Sequence, residues 1–383
     1  MIYLDHAAAT PLCAQAKAAI EPYLSDQFFN PSAPYLPAID VKSAYETAKN
    51  TIATAIGGKG LDLVITSGAT ESINLAFTAV QHDSPTILIS AVEHPAVFAA
   101  GERVGKCDVV KVDQTGRVDL SDLKQKLTAK TGLVSICLVS SELGTIQPIS
   151  EVAALLRAER QRRLQNGNQT PLFLHCDASQ GLGLLDVKVA RLGVDLLTLN
   201  AAKIYGPKGV GALWTSHAVK LHPLIVGGGQ ESGVRSGTEN IPAVVGFAAA
   251  VTEAVKHASS ESRRLKSLQQ TLFSALSTNP SIKFPGHSKH QLASFLPITI
   301  PGLDAERLIF KLEQQSIYIS TGAACSASKG IKSRALSAIG LSDEEIAGSL
   351  RLTLGRLSTE TNTKQAARSI LAVIAAEQER LAC

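Results

Sequence analysis

Aromatic side chains are few in this sequence, 4% of 383 residues, so any core must be built mainly from Leu, Ile, Val and Ala. Cysteine is also sparse. The six thiols, at positions 13, 107, 137, 176, 325 and 383, are too scattered for a disulfide framework. No two have Cys-x-x-Cys spacing, which excludes a zinc knuckle or a thioredoxin-type pair. An excess of one charge is lacking too. With 37 basic and 33 acidic residues the net charge is +4, and no like-charge block is long enough to form a nucleic-acid-binding arm. The densest basic run, RAERQRRLQNGNQ (157–169), reads as a solvated helix end. Apolar runs such as IPAVVGFAAAV (241–251) are too short to cross a bilayer, so no membrane partner is expected. The N-terminal MIYLDHAAAT has an early acid and no basic-then-apolar pattern, unlike a signal peptide. The expectation is a reduced, cytoplasmic protein.

What is present is an alternation of short apolar runs with longer amphipathic stretches. Strands are predicted at 62–66, 86–91, 108–112, 133–139, 172–176, 194–199 and 210–214, and helices at 41–56, 71–80, 120–129 and 149–164, with Ser121 and Ser150 as N-caps. Continuous apolar strands separated by helices imply an α/β fold, a mostly parallel sheet covered on both faces. From about residue 255 the pattern changes: a charged helix (261–276), a strand (296–300), a helix (304–315), a strand (317–320), a strand (350–354) and a closing helix. This predicts a large domain over 15–254 and a smaller α+β domain made of 1–14 and 255–383.

Ligands of doubly wound sheets bind beyond the carboxyl ends of the strands. After 62–66 comes SGATES, where Gly68, Ala69 and Thr70 form either an anion site at a helix N-terminus or a plain turn with a Thr cap. After 86–91, His94 precedes a proline and can stack on a ring or cap a helix. After 172–176, Asp177 needs a cationic or hydrogen-bonding partner, or caps the next turn. After 194–199 comes NAAKIYGPKGVG. Lys203 there forms a Schiff base or snorkels to solvent. The turn GPKGVG has neither dinucleotide-binding nor Walker A spacing. Taken together and in this order, the four strand ends describe pyridoxal phosphate: an amine for the aldehyde, an acid for the ring nitrogen, a stacking imidazole and a helix start for the phosphate. Separately, STGAACSASKG (320–330) puts Cys325 among small residues with no bulky apolar neighbour. A core thiol is usually flanked otherwise, and an idle exposed one would oxidise.

Several ordered segments resemble the cysteine desulfurases, the NifS-like members of the class V aminotransferase group of fold-type I pyridoxal phosphate enzymes. They are IYLDHAAATP, TSGATESIN, AVEHPAV, ELGTIQPI, DASQ, KIYGPKGVGAL, GGGQESGVRSGTEN, STGAACSAS and LRLTLGR, and they span almost the whole chain. The resemblance implies that Lys203 holds the cofactor, Asp177 pairs with its ring nitrogen, Gln180 binds its phenolic oxygen and His94 stacks on it and relays protons. Gly68, Ala69 and Thr70 would bind the phosphate, and Thr238 would reach the phosphate of a partner subunit, making a homodimer. Arg351 would clamp the carboxylate of L-cysteine, with Asn30 in the segment that receives the substrate. Cys325 would take the sulfur as a persulfide, releasing L-alanine. The match at the cysteine segment resembles the long-loop branch, which hands sulfur to an acceptor protein such as an iron–sulfur scaffold.

The sequence also departs from this pattern. Ser140 and Ser141 stand where the family has an asparagine pair, and Asn200-Ala201-Ala202-Lys203 replaces Ser-x-His-Lys. Asn200 and Ser141 are therefore expected to take over cofactor contacts. Ser232 replaces an arginine, and Pro34 and Tyr35 replace a Ser/His pattern. Each hydrogen bond or charge that the cofactor thereby forgoes is worth roughly 1–3 kcal/mol. Two other readings therefore stand beside the desulfurase: a weakly active or inactive paralogue that serves as a dimeric binding partner, and a related lyase or transaminase acting on another amino acid.

Overall fold

The computed structural model describes residues 1–81, 85–321 and 332–382, so Cys325 lies outside the described residues. Among the described residues the strands are β1 (Ile2–Tyr3), β2 (Leu63–Thr66), β3 (Thr86–Ser90), β4 (Lys106–Val110), β5 (Thr131–Ser135), β6 (Phe173–Asp177), β7 (Leu196–Asn200), β8 (Gly211–Thr215), β9 (Phe295–Thr299), β10 (Ile317–Tyr318) and β11 (Ser349–Thr353). Seven of them make one sheet in the order β2-β8-β7-β6-β5-β3-β4. Only β8 runs against its neighbours β2 and β7; the rest are parallel, as the apolar runs predicted.

The sheet is buried on both faces, and the side chains alternate between them. Leu63, Ile65, Leu88, Val134, Leu197, Leu199, Ala212 and Trp214 enter one core. Val64, Ile87, Ile89, Leu133, Leu196 and Leu213 enter the other, with helix residues Ile73 and Phe77. A further core gathers Ile2, Leu4, Ile298, Ile317, Leu350 and Leu352 with the C-terminal helix. The helix Ile241–Leu276 runs unbroken for 36 residues. Its apolar residues up to Ala254 pack in the first core, and those from Leu265 pack in the last. By length and composition this helix could cross a membrane, but half of its apolar window is buried within the fold.

The structure corrects several local expectations. The 261–276 helix begins 20 residues earlier, after Asn240, whose side-chain oxygen caps Ala243 N. β4 and β5 start and end before their predicted spans because pairing with β3, Ile87 to Cys107 and to Leu133, sets their register. Ser121 does not cap its helix. That helix starts at Leu120, and the Asp119 carboxylate one residue upstream of it accepts from Ser121 N and Asp122 N. Ser150 likewise lies inside the helix Ile149–Gln165, which follows Pro148 with no side-chain cap. At the sheet edge, Glu231 accepts from Ile65 N at 2.8 Å, from Lys49 at 3.0 Å and from Tyr45, tying the GGGQES segment to β2.

His175 on β6 is fully buried between Ser135 Oγ of β5 (2.8 Å from Nδ1) and Thr198 Oγ1 of β7 (2.9 Å from Nε2). Neutral imidazole offers one donor and one acceptor, and the two hydroxyls can serve either role. Burial drives its pKa from 6.5 down to about 4, against a small upward pull from Asp177. Between those values the unfolded chain takes up a proton that the folded protein refuses, so stability is lost as pH falls through that window. Denaturant unfolding should show a loss of about 3 kcal/mol between pH 7 and pH 4 from this residue. His175→Gln should flatten that slope, whatever its stability at neutral pH; an unchanged slope would assign the acid sensitivity elsewhere.

Candidate active site

Because only β8 is reversed, the carboxyl ends of β2, β3, β5, β6 and β7 meet the amino end of β8 along one edge. A cavity of about 460 Å³ opens there, within the usual size of small-molecule sites. Every one of those ends contributes to its wall, as do the N-terminal segment and β11.

Beyond β2 the chain turns at Gly68, with φ 145° and ψ 179°, a conformation essentially restricted to glycine. Gly68 is the N-cap of the helix Ala69–Phe77 and has no side chain with which to cap it. The first N–H groups of that helix are thus left to the cavity, the arrangement that favours an anion. Glu71 in the same turn is occupied: it accepts from Ser67 N at 2.7 Å and pairs with Arg235 at 3.0 Å. Gly211 of β8 abuts this turn so closely that a Cβ there would lie 2.8 Å from Gly68 Cα.

Beyond β3, His94 both lines the cavity and caps the helix Pro95–Val104, its Nδ1 accepting from Ala96 N at 3.1 Å. The two alternatives read from the sequence are therefore compatible. Partial burial lowers its pKa; Asp177 opposes that and Lys203 adds to it. The imidazole is neutral at neutral pH, with its hydrogen on Nε2.

Asp177 closes β6 as a buried residue. Its Oδ1 accepts from Ser179 N at 2.9 Å and Ser179 Oγ at 2.5 Å, while Oδ2 meets no donor among the described residues. Behind it lies Glu93, fully buried. Burial first, and then the charge of Asp177, hold the Glu93 carboxyl well above the usual range. Cys137 N donates to Glu93 Oε1, and Oε2 is buried without a partner among the described residues.

Beyond β7 the 3-10 turn Ala201–Lys203 is capped by Asn200, whose Oδ1 accepts from Ala202 N. Lys203 does not run to solvent. Its Nζ donates to Ala7 O at 2.8 Å and Ala8 O at 2.5 Å, beside Gln180, whose Nε2 donates to Ala7 O at 3.0 Å. Arg351 on β11 is buried. It pairs with Asp5 at 2.7 Å and donates to Ser141 O at 2.9 Å, while its Nε is buried without a partner among the described residues.

One cavity thus collects Lys203, Asp177, Gln180, His94, Gly68, Ala69, Thr70, Asn200, Ser141 and Arg351. Asn30 and Thr238 are not in its wall: both are exposed, and Asn30 Oδ1 accepts from Ser32 N. Cys137, expected in a core strand, is buried but lies past the end of β5 and lines the cavity. Its thiol is pushed well up by burial. Ser179, Glu142 and Lys208 also line it and were not singled out from sequence. Ser179 stood within DASQ between two selected residues, and Lys208 within a turn read only for its glycines.

The residues present fit pyridoxal phosphate: an uncapped helix start for an anion, a carboxylate oxygen lacking a donor, and an amine, an amide and a neutral imidazole around the same space. The family profile described as Aminotransferase class-V matches residues 2–365. Cysteine desulfurase IscS 1 of Archaeoglobus fulgidus is 36% identical over 389 aligned positions, covering 100% of this chain and 98% of that protein. The solved NifS-like protein of Rickettsia africae is 30% identical with a TM-score of 0.87, covering 98% and 99% of the two chains. SspA, solved in complex with cysteine, is 29% identical with a TM-score of 0.78, covering 92% and 99%. This chain belongs to the class-V aminotransferase family and, within it, to the NifS-like cysteine desulfurases, a membership that implies the use of pyridoxal phosphate.

Proposed function

We propose that this protein is a homodimeric, cytoplasmic cysteine desulfurase that holds pyridoxal phosphate in the strand-end cavity and converts L-cysteine to L-alanine. The observation that carries the reading is that Lys203 and Asp177, 26 residues apart in sequence, line one cavity with an uncapped helix start. The cysteine-bound structure of SspA supports L-cysteine as the substrate.

When bound, the cofactor supplies an aldehyde that an amine can capture and a protonated ring that draws electrons from the substrate's α-carbon. Lys203 is the amine, positioned by the Ala7 and Ala8 carbonyls. Asp177 offers Oδ2 to the ring nitrogen while Ser179 fixes Oδ1. Gln180 keeps one amide hydrogen for the phenolic oxygen after donating to Ala7 O. His94 stacks on the ring and holds a proton at Nε2. Gly68, Ala69 and Thr70 take the phosphate, and Asn200 and Ser141 complete the wall. Arg351 binds the substrate carboxylate through donors not spent on Asp5 and Ser141. Cys325 takes the sulfur: its thiolate forms an S–S bond as the substrate's C–S bond breaks, the C–S electron pair staying on the carbon, which takes a proton to become alanine, and the outer sulfur of the persulfide passes to an acceptor protein such as an iron–sulfur scaffold.

Asn30 and Thr238 act from exposed segments. Phe28, Tyr35 and Leu36 are exposed, with Phe28 and Tyr35 both packed on Phe29 at ring distances of 4.6 and 6.0 Å, and this apolar surface supports a second copy of the chain as partner. The four described cysteines are unpaired, in keeping with a reducing compartment.

Purified protein should be yellow, and Lys203→Ala should lose the colour along with sulfide release. Cys325→Ala should keep the colour but release sulfide from cysteine at least about a thousandfold more slowly. A colourless wild type, or sulfide release that survives the loss of Cys325, would overturn the respective assignment. Sedimentation should give a dimer that Phe28→Asp combined with Leu36→Asp converts to monomer; a monomeric wild type would refute the dimeric reading.

A further inference from the structure

The family pattern Ser-x-His-Lys places two polar side chains next to the lysine, and here they are Asn200 and Ala202. Asn200 spends its side-chain oxygen on Ala202 N at 3.1 Å, and Ala202 presents a methyl group to the cavity. Asn200 keeps its amide N–H groups, but neither it nor Ala202 brings a positive charge to the end of the cavity suited to an anion. Its carboxylate, Glu71, is already satisfied by Ser67 and Arg235.

Among the described residues, three cationic side chains line the cavity: Lys203, Lys208 and Arg351. Arg351 is paired with Asp5, and Lys203 is held on the carbonyls of Ala7 and Ala8. Lys208, the most exposed of the three, is held by a single carbonyl. It stands on the short turn between Lys203 and β8, and its Nζ donates to Thr10 O at 2.7 Å. It pairs with no carboxylate among the described residues. An ammonium carries three donors, so two remain along with an uncompensated charge. The turn is also in the right place. Gly209 and Gly68 line the cavity together, and Gly211 is packed against Gly68, the N-cap of the anion-seeking helix.

We infer that Lys208 is a phosphate-binding residue of this site, its ammonium supplying the charge that Asn200 and Ala202 do not. The assignment rests on the reading that the cavity holds pyridoxal phosphate. Its hydrogen bond to the Thr10 carbonyl fixes the stem, and the phosphate takes the remaining donors alongside the first N–H groups of the helix Ala69–Phe77.

The test compares two ligands on full-length protein freed of cofactor: pyridoxal phosphate, and pyridoxal, which has the same ring and aldehyde but no phosphate. Visible absorbance reads the binding of each. Lys208→Gln should raise the dissociation constant for pyridoxal phosphate about tenfold or more and leave that for pyridoxal within about twofold, and Lys208→Arg should recover most of the affinity. An unchanged affinity for pyridoxal phosphate would overturn the assignment. So would equal weakening of both ligands, which would mean that Lys208 only braces the Thr10 wall. Wild-type protein that takes up neither ligand would instead defeat the cofactor reading, and Lys208 with it.

Discussion

The site depends on where six residues near the N-terminus, 5–10, are laid down. Their backbone carbonyls hold Lys203 through Ala7 and Ala8, Gln180 through Ala7, and Lys208 through Thr10. Asp5 pairs with Arg351, and Thr10 Oγ1 donates to Ala202 O while accepting from Tyr205 N. This stretch is itself anchored by β11: Ala7 N donates to Thr353 Oγ1, and His6 Nδ1 bonds Thr353 O. The carbonyls of this segment set where the ammonium groups of Lys203 and Lys208 lie. The segment therefore works as a template that fixes three cations and an amide relative to one another.

The charge balance of the cavity follows from burial. Asp177 and Glu93 are neighbouring carboxyls in different surroundings. Asp177 has the Ser179 N–H and hydroxyl; Glu93 has one backbone N–H and complete burial, which holds its carboxyl well above the usual range. The pKa of His94 is lowered by burial and by the charge of Lys203, against an opposing pull from Asp177.

Much of this was legible from residue order. Asp177, Lys203, His94 and Gly68 stand at strand ends, and the sheet brings strand ends together whichever residues occupy them. Ser179 and Lys208 were less visible because neither type is unusual in a turn; only their distances to Asp177 and Thr10 give them meaning. The 36-residue helix was half missed because its first part, Ile241–Ala254, is apolar on most sides and shows little helical period, as expected of a segment packed against both Ile20 and Pro207 at Gly246. The Ser121 and Ser150 caps failed because Asp119 and Pro148, each two positions upstream of the serine, end the preceding loops first.

Local sequence by itself determined the parallel sheet, the family and the chemical kinds of group at each strand end, because apolar periodicity and turn chemistry act over a few residues. Only the tertiary structure decided which of those groups share a cavity, and that it was Ala7, Ala8 and Asp5 that would hold Lys203 and Arg351. Those bonds join residues about 196 and 346 positions apart. Contacts at such separations form when two hydrophobic cores close on each other, and no pattern within a short window encodes where a carbonyl will then lie.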